Sequence, residues 1–167
     1  MKIGGHPLRQ HLRILSPLFV LLAGVWVLRW IIGCINMPGW LFQVVSLTFF
    51  APVAVLLAVL MLHVRRFGGY ASVVACSLLL NAWTETLIVL AIMFSVLTGI
   101  SNIYTAPMYS PGDVDPHHLY HIRGHLTYGI GLSTLAGAAM GSLLLFLLRK
   151  LAPMGPPASA AGPYKEP

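Results

Sequence analysis

Glu85 is a single carboxylate in the middle of the apolar run 71–100, and the chain holds only four acidic residues in all. An ionisable group at mid-membrane depth costs several kcal/mol, so it is a functional-site hypothesis by default. Asn81, Thr84 and Thr86 share its stretch. Asn81 and Glu85, four residues apart, lie on one face of a helix, with Thr84 adjacent. Counting from residue 71, Glu85 lies roughly 14 residues in, about 21 Å along the axis. Arg29 lies roughly 12 residues past Pro17, about 18 Å from the same side. Three readings follow. An Arg29–Glu85 ion pair, fastened by Asn81 and Thr84, would lock two helices together and remove most of the cost of burying either charge. Alternatively, Glu85 is a proton- or cation-coupling carboxylate. In the third reading Arg29 reaches outward while Glu85 faces water or a partner subunit.

The second concentration of chemistry is histidine. His117, His118, His121 and His125 are four of the seven in the chain, with Asp113 and Asp115 just before them. Asp115 followed by Pro116 is a helix-start signal, aspartate as N-cap and proline in the first turn. A helix begun there puts His118, His121 and His125 on one face and makes His117 and His121 an i, i+4 pair. Imidazoles so spaced can share one metal ion, with Asp113 or Asp115 as an oxygen ligand. Zn, Cu or Fe would all suit such a set. The plainer alternative is a wet, outward-facing set of histidines without metal. Histidine also titrates near neutral pH, which admits a proton-sensing role.

Residues 117–121, His-His-Leu-Tyr-His, resemble the HHxxH box of membrane fatty-acid desaturases and hydroxylases. Those enzymes assemble a di-iron centre from several boxes. This chain has one, so the activity does not carry over. A haem between spans, as in bundles similar to cytochrome b561, needs histidines facing one another from different spans. Only His63 lies near the end of another, on the opposite side. Residues 31–34, Ile-Ile-Gly-Cys, resemble a lipoprotein cleavage box, but Arg29 and Trp30 interrupt the apolar region before it. The first span is therefore kept.

What must position these residues is an all-α, four-helix transmembrane bundle. The chain is 57% hydrophobic and 8% charged, with mean hydropathy +0.83 over 167 residues. Soluble domains carry about 25% charged residues. Four apolar stretches, about 17–35, 41–64, 71–100 and 126–148, are each near the roughly 20 residues that a bilayer core requires. In hydrocarbon they must be helical, because unpaired backbone groups are not tolerated there. A basic interfacial segment, 1–16, leads in, with Leu8, Leu12 and Leu15 on one side of a short helix. A Pro/Ala/Gly-rich tail, 151–167, is expected to be disordered. The 37–40 turn is tight, 65–70 is short and cationic, and the 101–125 connection is long and histidine-rich.

Lys2, Arg9, Arg13, Arg65, Arg66, Arg149 and Lys150 fall on one side and only Arg123 on the other. The positive-inside rule then places both termini in the cytoplasm and the histidines outside. Trp30 and Trp40 fit an outer aromatic belt. The net charge of +6 reads as topology and headgroup contact rather than nucleic-acid binding. Cys34 and Cys76 form no CxxC pair, which argues against a dithiol site. Gly129, Ser133, Gly137 and Gly141 recur every four residues, a small-residue stripe for close helix approach, either within the bundle or between copies.

The leading expectation is a multi-pass integral membrane protein, in the inner or plasma membrane if bacterial. It would serve as a non-catalytic accessory or assembly subunit, in a homo-oligomer or larger complex within the lipid bilayer. The alternatives are a small proton- or cation-coupled transporter using Glu85, and a metal-binding membrane enzyme using residues 117–125.

Overall fold

The structure, a computed structural model, describes residues 2–34, 40, 44–106, 115 and 117–152. Four helices are long and apolar enough to cross a membrane. They are α1 (Leu8–Cys34), α2 (Leu47–Val64), α3 (Tyr70–Thr98) and α4, a continuous rod Leu119–Leu151. A two-residue hairpin, Lys2–Ile3 against His6–Pro7, precedes α1. Its turn residues Gly4 and Gly5 both have positive φ, as the tight hairpin turn demands.

Three helix boundaries differ from expectation. The second span, expected from about residue 41, begins at Leu47, where the Ser46 side chain accepts from Phe49 N–H as N-cap. The expected interfacial segment and first span are one helix, because the proline at its centre does not break it. Pro17 has no N–H for the Arg13 carbonyl. The Ser16 hydroxyl donates to that carbonyl at 3.0 Å instead. At the other end of the chain, α4 begins at Leu119 rather than near residue 126. The histidine-rich stretch is therefore divided: His117 and His118 precede the fourth helix, and His121 and His125 stand on it. That helix does not begin at Asp115. His118 takes a left-handed conformation, φ 53°, and the Asp115 carboxylate accepts from the backbone N–H groups of Leu119 and His121 at 2.8 and 3.1 Å. The sequence motif is a cap, displaced by one turn.

Consecutive helices are antiparallel. At one end His11 bonds Ser72 at 3.2 Å, His63 bonds the Ala152 carbonyl at 3.2 Å, and Arg149 donates to the Gly68 carbonyl at 3.3 Å. The core runs along the bundle axis through Leu22, Val55, Val59, Val73, Leu80 and Ile92. α4 packs most extensively on α3 and then on α2. The small-residue stripe makes this approach. A Cβ at Gly137 would stand 2.5 Å from the Ser77 hydroxyl, and one at Gly141 2.8 Å from Val73. The stripe is thus used within the chain. Residues 153–167 of the expected tail, residues 37–39 of the first turn, and Asp113 and Pro116 lie outside the described residues.

Candidate functional site

Glu85 sits near the midpoint of α3 and is buried, with 8% of its surface exposed. Its Oε2 lies 2.5 Å from Nδ1 of His125 on α4. His125 Nε2 lies 3.0 Å from Nε2 of His121 one turn away. A carboxylate on Nδ1 fixes that nitrogen as a donor and leaves Nε2 to exchange a proton with its neighbour. The result is a chain of three titratable side chains running from the interior of α3 to the first turns of α4.

Local backbone makes the approach possible. α4 is α-helical over Leu119–Gly124, loosens into a π-helical turn at His125–Gly129, and resumes as α-helix over Ile130–Leu151. Such turns are rare and recur at functional sites. This one carries both residues that meet the carboxylate. A Cβ at Gly129 would be 2.9 Å from Glu85 Cδ and Oε2, so only glycine leaves room for the acid against the helix.

A cavity opens on each side of the chain. One, of about 180 Å³, is lined by Arg29, Thr48, Tyr104, His121 and His125 with apolar walls from Leu47, Ile88 and Ile103. The other, of about 210 Å³, is lined by Glu85 together with Thr48, Asn81, Thr84, Ser133 and Gly137. Thr48 reaches both. Its carbonyl faces Pro52, which has no N–H to give it.

The Arg29 guanidinium lies over the Tyr104 ring, 5.4 Å from its centroid. Tyr104 is held there by a 3₁₀ turn, Ile103–Thr105. Asn102 caps the turn: its side chain accepts from Tyr104 N–H at 2.9 Å and donates to the Ala91 carbonyl at 2.8 Å. Burial pushes the Tyr104 phenol well above its ordinary range, against the opposing pull of Arg29.

No family model, curated protein or solved structure matches this chain. The site therefore has to be read from its own geometry.

The residues singled out in the sequence divide into groups. The ion pair formed by Glu85 among the described residues is with His125, while Arg29 lines the histidine-side cavity. Asn81 and Thr84 do not fasten the carboxylate. Asn81 donates to the Ser77 carbonyl and hydroxyl at 2.9 and 3.3 Å, and Thr84 to the Leu80 carbonyl at 2.9 Å. Of the histidines, His121 and His125 converge, with ring centroids 4.8 Å apart, and His118 lies 6.5 Å from His121. His117 is exposed and Asp115 is engaged as a cap. Among the described residues no three of His, Cys, Asp and Glu come together as a metal site. Sequence reasoning passed over Tyr104, Thr48 and the Glu85–His125 contact. Asn102 and Thr105 at capping-box spacing were the available signal for the first.

Proposed function

We propose that this protein is a small multi-pass membrane protein in which Glu85, His125 and His121 relay a proton, as the core of a proton-coupled transporter. One observation carries the reading: the continuous chain of 2.5 and 3.0 Å contacts with a cavity at each end. A proton arriving from the histidine-side cavity enters at His121, passes Nε2 to Nε2, and leaves His125 through Nδ1 to the Glu85 carboxylate. Protonated Glu85 then faces the second cavity. Imidazole suits this step because it takes a proton on one nitrogen while releasing one from the other. The excess of Arg and Lys at the Arg65–Arg66 end supports placing that end in the cytoplasm and the histidines outside.

The test is proton flux into liposomes reconstituted with the full chain, driven by an imposed potential and followed with an internal pH dye. Wild type is expected to carry flux, and Glu85→Gln and His125→Phe are expected to reduce it at least tenfold while remaining folded. Wild-type flux in folded Glu85→Gln would overturn the relay. Correctly folded wild type without flux would return the protein to the accessory-subunit reading, to be pursued through the size of its native complex.

A further inference from the structure

The Glu85-side cavity has a lining that the relay alone does not use. Asn81 and Thr84 are 3% and 2% exposed, and both stand on its wall with Glu85 and Ser133. Asn81 gives its amide hydrogens to the Ser77 carbonyl and hydroxyl. That carbonyl requires a donor, which fixes the orientation of the amide. Oδ1 is left as an acceptor with no hydrogen bond among the described residues. Thr84 spends its one hydrogen on the Leu80 carbonyl, so its oxygen has only lone pairs to offer. A buried polar group without a partner costs about 1–3 kcal/mol, and such exceptions call for an explanation.

The acceptors around that space are all oxygens. Oε2 of Glu85 takes the Nδ1–H of His125. A neutral imidazole donates there without cancelling the charge, and a carboxylate has about four acceptor sites, so Oε1 remains. The Ser133 hydroxyl has no hydrogen-bond partner among the described residues. Thr48, which both cavities share, adds a hydroxyl, and Pro52 gives its carbonyl no N–H. Among the described residues no Lys, Arg or His lines this cavity. The lining therefore favours a cation. Oxygen ligands without nitrogen or sulfur select a hard ion over Zn or Cu. With one carboxylate a single positive charge is balanced, while the second charge of a divalent ion would stay uncompensated in a low-dielectric site. At about 30 Å³ per water the space of about 210 Å³ is equivalent to roughly seven waters. That suits an ion which keeps part of its hydration shell.

We infer that the cavity lined by Glu85, Asn81, Thr84 and Ser133 binds a small alkali-metal cation. The Glu85 carboxylate supplies the charge. Asn81 Oδ1, Thr84 Oγ1 and Ser133 Oγ supply neutral oxygens, and water completes the shell. Asn81 and Glu85 share a face of α3 because they are four residues apart, with Thr84 adjacent. Gly129 brings α4 against the carboxylate, and Ser133 follows it by about one turn on the same face. The site goes beyond the relay and does not depend on it, since it needs the carboxylate and not a moving proton.

The experiment uses the full chain in non-ionic detergent, titrated with lithium, sodium, potassium and calcium chlorides at fixed pH. Choline chloride at equal ionic strength, a bulky cation, sets the baseline. The net charge of +6 repels cations from the surface at large, so saturable binding reports an interior site. Binding is read by calorimetry and by the rise in melting temperature. At least one alkali ion is expected to bind saturably where choline does not, and Glu85→Gln is expected to abolish that binding. Thr84→Val, which keeps the side-chain shape, should weaken it about tenfold, the scale of losing one contact to a charged group. Adding Ser133→Ala should weaken it further. Failure of every alkali ion to differ from choline up to tens of millimolar would overturn the inference, as would equal binding by wild type and the folded Thr84→Val/Ser133→Ala double variant. Calcium held more tightly than any alkali ion would overturn the monovalent assignment. Wild-type proton flux without alkali-ion binding overturns this inference alone. Alkali-ion binding without flux overturns the relay alone.

Discussion

The energetics of the site concentrate in a few atoms around the Glu85 carboxylate. Removing one partner of a buried ion pair costs about 3–5 kcal/mol, because the other charge is left uncompensated. His125→Ala is therefore expected to lower the melting temperature sharply, and adding Glu85→Gln to it should recover part of the loss. Thermal melts of the two singles and the double check this. Gly129→Ala makes a complementary case. Its methyl meets the carboxylate at 2.9 Å, an overpacking worth about 1–3 kcal/mol. In a double-mutant cycle with Glu85→Ala the penalty should largely disappear, since truncation clears the space. Tyr104 adds a pH dependence. Folding holds its phenol in the neutral form above the ordinary value of 10.0. Above that pH the unfolded state releases the proton first, so stability falls as pH rises. Tyr104→Phe should flatten this alkaline decline in a melting series.

At the level of elements, what the sequence made legible depended on whether composition and geometry agreed. The third span was expected over 71–100 and is observed over Tyr70–Thr98, because an apolar run and a glycine stop coincide. The start of α4 was less accessible. Residues 119–125 hold His121, Arg123 and His125 and read as connection, yet they are helical once Asp115 satisfies two of the orphan N–H groups. Asp115→Ala should cost about 1 kcal/mol and expose the amides of Leu119 and His121 to hydrogen exchange ahead of the rest of α4. The depth comparison paired Glu85 with Arg29 and did not reach the His125 contact, for the same reason. His125 was left out of the spans, so its depth was never compared. Ser16 marks a similar limit: its bond to the Arg13 carbonyl is what carries α1 through Pro17, and nothing in hydropathy reports it.

The whole molecule is a four-helix bundle in which one cavity lies on either side of the Glu85–His125–His121 chain. The small-residue stripe was readable, but sequence left open whether it served the bundle or an association of copies. In the structure Gly129, Gly137 and Gly141 all meet side chains of the same chain. Gly137→Leu is therefore expected to destabilise the isolated protomer by more than an exposed substitution such as Leu143→Ala, while leaving its oligomeric state as in wild type. Denaturation in detergent and size by light scattering distinguish the two effects.

The π-helical turn has one further consequence, for how the helix is phased. In plain α-helix, His125 and Gly141 would point about 160° apart, and the residue that meets Glu85 could not share a face with the residue that meets Val73. A π turn is equivalent to one inserted residue, shifting everything before it by about 100° around the axis. Straightening α4 at full length would swing both histidines out of the bundle while leaving the glycine seam in place, whereas deleting a single residue within 126–128 would remove the π turn and keep them facing Glu85, about 60° from Gly141. The Glu85–His125 contact is thus compatible with a chain one codon shorter, and at the present length it requires the π turn.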